Sequence, residues 1–146
     1  MKKICLILCC VLIVSLTGCG SDMYSEAIKP DDMSDEVFNT IIKTIRIVDD
    51  RLSGKTTAQG YEDAIIELNK NSKESLKWIR SSKYEDIFSF SGNVLFLDDD
   101  KILHVNKDMI EETIDGRNKL AEAFSIPAIK LEDTHCYKIL QEALNK

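Results

Sequence analysis

The sequence predicts an all-α fold, a small antiparallel helical bundle of four to five helices. Three observations lead there. From residue 34 onward apolar residues recur at steps of three and four, the spacing of one helix face. Several of these stretches open with a capping pair, a Ser, Thr or Asp three places before Glu or Gln. Only residues 94–105 carry a strand-like pattern, and a lone two-stranded hairpin is marginal in water. The alternative is an α protein with one short β-hairpin at 94–105.

The first segment stands apart from that fold. Met1-Lys2-Lys3 is a short basic start, Ile4 to Val14 is an unbroken apolar run, and Leu16-Thr17-Gly18-Cys19 closes it. Basic, apolar and small residues in that order form a secretory signal and are excluded from the fold. The run is too short for a membrane helix, which needs about 20 apolar residues. Leu16-Thr17-Gly18-Cys19 resembles the lipobox of bacterial membrane lipoproteins, with Gly one place and Leu three places before the cysteine. The resemblance covers roughly the first 20 residues and no more. It implies cleavage after Gly18, a diacylglyceryl group on the Cys19 thiol, and attachment to the extracytoplasmic face of the cell membrane. Each buried methylene contributes about 0.8 kcal/mol, so two acyl chains hold firmly where one is marginal.

The chain then divides into a signal peptide (1–18), a lipidated N-terminus with a flexible tether (19–33) and a helical domain (34–146). Residues 20–33 are polar, aperiodic and interrupted by Pro30. As a coil they reach ~20 Å. Ser34 reads as the N-cap of helix one, 35–52, with Asp35 and Glu36 where the helix dipole favours acids. Val37, Phe38, Ile41, Ile42, Ile45, Val48 and Leu52 form its stripe, and Gly54 sits where a terminating glycine belongs. Thr56 and Gln59 open helix two, predicted as one piece from about 57 to 80, with a thin patch at 71–75. Ser82 and Glu85 open helix three, for which a kink near 98–100 is expected. Asp108 and Glu111 open helix four, which runs to about Ser125 before Pro127 and is read as a possible continuation of helix three. Residues 131–145 form the last helix, with Cys136, Ile139, Leu140, Ala143 and Leu144 on one face.

Composition narrows the function classes. Of 146 residues, losing the 18 of the signal leaves 128, enough for one core. Losing Lys2 and Lys3 leaves 17 basic against 25 acidic residues, so the formal charge moves from −6 to −8. Such a surface disfavours nucleic acid and suits a cationic partner, though it also serves plain solubility. Five cysteines do not make a disulfide framework. Cys5, Cys9 and Cys10 leave with the signal, Cys19 takes the lipid, and Cys136 remains alone.

Candidate chemistry is sparse. The acidic pairs Asp35-Glu36, Glu62-Asp63, Glu85-Asp86, Glu111-Glu112 and Glu132-Asp133 all fall early in a predicted helix, where the dipole accounts for them. Asp98-Asp99-Asp100 lacks the alternation, glycine and distant Glu of a calcium loop. His104 and His135 have no helical partner set for zinc, and Cys136 on an apolar face is expected as a buried small hydrophobe. Trp78, beside the main stripe of helix two, is expected to pack between helices. No catalytic residue, metal site or cofactor is therefore assigned. The expected activity is non-enzymatic: a membrane-tethered module binding an extracytoplasmic protein or peptide, with no nucleic-acid partner. The alternatives are a small-ligand-binding bundle, or an immunity-like lipoprotein that captures cationic peptides.

Overall fold

A computed structural model describes residues 22–93 and 107–145. Among them six helices form an all-α bundle with no strand: α1 (Asp35–Leu52), α2 (Ala58–Asn71), α3 (Lys73–Arg80), α4 (Ile87–Asn93), α5 (Lys107–Glu122) and α6 (His135–Leu144). A 3-10 turn, Leu131–Asp133, precedes α6. No helix among the described residues is long and apolar enough to cross a membrane. The expected signal peptide with Gly18 and Cys19, the Asp98–Asp100 run, His104 and the helix-or-hairpin choice at 94–105 lie outside the described residues.

The long helix α1 is the spine, and α2, α3 and α4 pack against it. Its stripe is buried as expected, with Ile41, Ile45 and Val48 fully enclosed. Thr40 and Thr44 join them, each hydroxyl donating to the carbonyl four residues back, at 2.9 Å. The Ser34 hydroxyl accepts from the Val37 amide, the expected cap. At the other end Gly54 adopts φ 77°, and the Lys55 amide donates to the Asp50 carbonyl to close the last turn. A side chain at Gly54 would meet the His135 ring at 2.5 Å, so the same glycine also admits α6.

Several boundaries differ from expectation. The last helix starts at His135 and not at 131, because the Thr134 hydroxyl caps it there. Helix α5 ends at Glu122 and not near 125. The stretch 57–80 is two helices, not one, because Ser72 leaves helical geometry (φ −127°, ψ 33°). Ser and Asn compete with the backbone for hydrogen bonds, and here they cluster at 69–75. The break lets Leu76 and Ile79 turn onto α1. The cap of α2 is Thr57, whose hydroxyl accepts from the Gly60 amide, rather than Thr56. Residues 81–86 are turns, since the Ser82 hydroxyl donates back to the Ile79 carbonyl and accepts from the Tyr84 amide instead of starting a helix. Helices α4 and α5 are separate bodies packed side by side, so the reading of one continuous rod fails. Gly116 allows that approach: a Cβ there would stand 3.1 Å from the Cβ of Phe90.

The largest correction concerns the tether. Residues 22–33 do not hang free but run along the domain, antiparallel to α1. Met33 is buried, the Ile28 amide donates to the Phe124 carbonyl at 2.8 Å, and Tyr24 reaches Asp49. A polar, aperiodic sequence docks here because its partners are backbone groups and charges, which leave no periodic trace.

Candidate functional site

Among the concavities on the described surface, which include a shallow recess of about 630 Å³ at 115–128, two bear on function. The larger is an open groove of about 840 Å³ between the 83–90 segment and one face of α5. Phe90, Leu120 and Ala123 line it as apolar floor, and Tyr84 forms one wall. Asp86, Glu112 and Asp115 stand along it as acids, with Lys83 and Lys119 between them. The α5 contribution follows from spacing. Positions 112, 115, 116, 119, 120 and 123 recur at steps of three and four, and so share a face. Alternation of acids with Gly116 and Ala123 keeps that face low and polar-edged.

The aromatic wall continues beyond the groove. Tyr84 stacks on Trp78 (centroids 6.2 Å apart) and packs against Phe124 (5.5 Å), which meets Phe38 (5.7 Å). Trp78 keeps 37 % of its surface exposed, so it packs on one face only and presents the other to solvent. The Lys83 ammonium lies 5.1 Å over the Tyr84 ring. Its hydrogen bond to Tyr84, and then the Asp32 carboxylate, hold its pKa above the ordinary lysine value.

The smaller cavity, about 340 Å³, lies between the C-terminal end of α1 and residues 129–134. Two of its lining residues, Tyr24 and Asp49, belong to a charged clamp. Arg117, fully buried, grips Asp49 with two parallel bonds, Nε to Oδ1 at 2.9 Å and Nη2 to Oδ2 at 2.6 Å. Its Nη1 donates to the Pro127 carbonyl at 2.6 Å and to Asn118 Oδ1 at 3.2 Å. The Tyr24 hydroxyl donates to the same Asp49 carboxylate at 2.5 Å. Burial, and then that bond to Asp49, push the Tyr24 phenol well above its ordinary pKa. Asn118 ties in the neighbouring segment of chain: its carboxamide donates to the Ile129 carbonyl and accepts from the Ile129 amide.

The residues singled out from the sequence scatter. Asp35-Glu36 opens α1, while Glu62-Asp63 and Glu111-Glu112 sit in the second turns of α2 and α5. Glu85-Asp86 lies in the turn that leads into α4 and Glu132-Asp133 in the 3-10 turn before α6, so these two pairs stand at helix starts instead of inside an α-helix. Asp86 and Glu112 are the members of different pairs that line one groove. Cys136 is buried with its thiol 3.7 Å from the Arg51 carbonyl, as expected of a small core residue. His135 is exposed at the start of α6, its ring against Gly54. No cluster of three metal-ligating side chains occurs among the described residues.

Sequence reasoning missed the groove and the clamp for different reasons. The groove face of α5 carried a signal, acids and small residues at helical spacing. The clamp carried none, because Tyr24, Asp49 and Arg117 are separated by 25 and 68 positions. No family model matches the chain, and comparison with curated proteins and solved structures yields no match either, so its own residues carry the functional argument.

Proposed function

We propose that the chain is a lipid-anchored, extracytoplasmic lipoprotein whose helical domain binds a protein or peptide without catalysing a reaction. The groove between residues 83–90 and α5 is the observation that carries the binding half of this reading. Its floor takes an apolar side chain, and Asp86, Glu112 and Asp115 suit basic neighbours on the bound segment. An aromatic and acidic lining of this kind resembles the centre and rim of protein interfaces, where aromatic anchors dominate affinity. The clamp residues have structural employment: Arg117 and Asp49 neutralise one another and Tyr24 is fixed by them.

The groove is tested by a photo-crosslinking residue at Ser89, exposed within it, against a control at Asn69 on α2. A neighbour captured from Ser89 and not from Asn69 on intact cells is the expected outcome. Identical products from both positions would sink the idea. Anchoring is tested separately, since Cys19→Ser should move the protein from the membrane to the soluble fraction. The smaller cavity favours a second reading, a small-ligand binder, because such pockets run from about 300 to 1,000 Å³. A ligand of that site must raise the melting temperature with its concentration. A flat response across a lipid and metabolite panel removes this reading.

A further inference from the structure

How far the lipid lies from the first docked residue decides how the domain stands on a membrane. As a free coil, residues 20–33 would hold the domain ~20 Å away and let it turn. The docked segment changes this. Only three peptide steps separate Cys19 from Asp22, at most about 10 Å when fully extended. A domain of this length has a radius of gyration of about 14 Å, so the leash is shorter than the body it holds.

The docked end is anchored at Tyr24 and held at its outer edge by Asp22. Asp22 pairs with Arg46, whose guanidinium lies 4.5 Å over the Tyr24 ring, and Tyr24 in turn is bonded to the buried Asp49–Arg117 pair. Met23, 41 % exposed, lies beside Lys55 and Lys130 around the mouth of the smaller cavity. The groove opens elsewhere. At ~100° per residue, Glu112, Asp115 and Lys119 sit ~140–160° around α5 from Arg117.

We propose that the face around Asp22, with Met23, Lys55 and Lys130, rests directly on the phospholipid surface and that the groove therefore points away from it. The proposal rests on lipidation of Cys19. Lys55 and Lys130 are offset by Asp50 and Asp133 on the same rim, so the contact is imposed by the short leash and not by charge. It is accordingly insensitive to salt. The bound partner must then approach from outside the membrane rather than from within the lipid layer.

Tryptophan quenching by headgroup-nitroxide phosphatidylcholine in vesicles carrying the mature lipidated chain tests the orientation. Trp78 is the chain's single tryptophan. It belongs to the aromatic stack ending at Phe38, about 16 Å along α1 from Asp49. A second probe is Lys55→Trp in a Trp78→Phe background. The expected result is at least twofold stronger quenching at position 55 than at 78, unchanged by 0.5 M salt. A ten-residue Gly/Ser insertion after Gly20 should abolish the difference. Equal quenching without the insertion, on protein whose mass shows lipid at Cys19, overturns the orientation alone. A mass without lipid overturns the anchor reading and the orientation with it.

Discussion

The two ends of α1 are held by opposite physics. Around Val37, Ile41 and Ile45 the helix is gripped by apolar packing, with each side chain nearly or fully enclosed. At Asp49 it is gripped by charge, through the Arg117 fork and the Tyr24 hydroxyl. Apolar packing is tolerant of shape and indifferent to exact atom positions, so it fixes which face is inside. A bidentate ion pair is demanding of geometry, so it fixes where another segment must lie. Here it determines the place of the docked leader segment, residues 22–33.

Arg117→Met should show the largest effect. It leaves the mostly buried Asp49 carboxylate without its cation, and such losses cost about 3–5 kcal/mol. The midpoint of urea unfolding measures it. Combining it with Asp49→Leu should recover much of the loss, because a buried pair replaced by packed apolar groups is often neutral. No recovery would mean that the remaining partners, the Pro127 carbonyl and Asn118, matter more than the charge. Ile45→Ala comes next, at about 3 kcal/mol for a fully enclosed side chain. The sharper contrast lies in conservative changes. Ile45→Val should cost only about 1 kcal/mol, whereas Arg117→Lys loses the planar fork and should behave almost like Arg117→Met.

This contrast also explains what the sequence revealed. The α1 seam, the Ser34 cap, the Gly54 terminus and the buried Cys136 were legible because each is a local pattern repeating at helical spacing or sitting at a helix end. The break at Ser72 left a faint trace in the thinned stripe at 71–75. The docked leader left none, because Tyr24, Asp49 and Arg117 come together only once the chain is folded. Arg51 is similar: placed in the last turn it looks like dipole complementation, yet it is buried and its guanidinium donates to the Thr56 carbonyl at 3.3 Å. The groove was half legible, since α5 displays its acids and small residues in order but Asp86 and Phe90 arrive from the turn before α4 and from α4 itself.

A third test sets a buried neutral hydroxyl against the charged clamp. Tyr61 is fully enclosed, its hydroxyl donating to the Ser91 carbonyl, and burial raises its phenol above the ordinary 10.0. The native state therefore keeps a proton that the unfolded chain has released. Stability is unaffected below pH 10 and falls as pH rises beyond it, by at most about 1.4 kcal/mol per unit from this group. Lys83 and Lys107, also raised by their hydrogen-bond partners, act in the same direction. The informative quantity is thus the difference between the parent protein and Tyr61→Phe. The variant should lose about 1 kcal/mol at neutral pH and show a shallower decline in alkali. Parallel curves would assign the alkaline loss to other groups.

Arg46→Gln should have the smallest effect on global unfolding and the most selective one on the leader. Arg46 is nearly half exposed, its pair with Asp22 is solvated, and such pairs contribute about 0–1 kcal/mol. Its stacking on Tyr24 adds about 0.5–1 kcal/mol at an exposed site. The core and the Asp49–Arg117 pair do not depend on either, so the urea midpoint should move little. Residues 22–24 lose their outer hold, and local opening of that segment becomes easier by the same small amount. Amide exchange resolves this, because the Ile28 amide, bonded to the Phe124 carbonyl, reports leader opening while Ile45 in α1 reports global opening. A several-fold faster exchange at Ile28 with Ile45 unchanged is expected. Equal acceleration at both would mean that the leader and the core open as one unit, and that the apolar and charged ends of α1 are not separable after all.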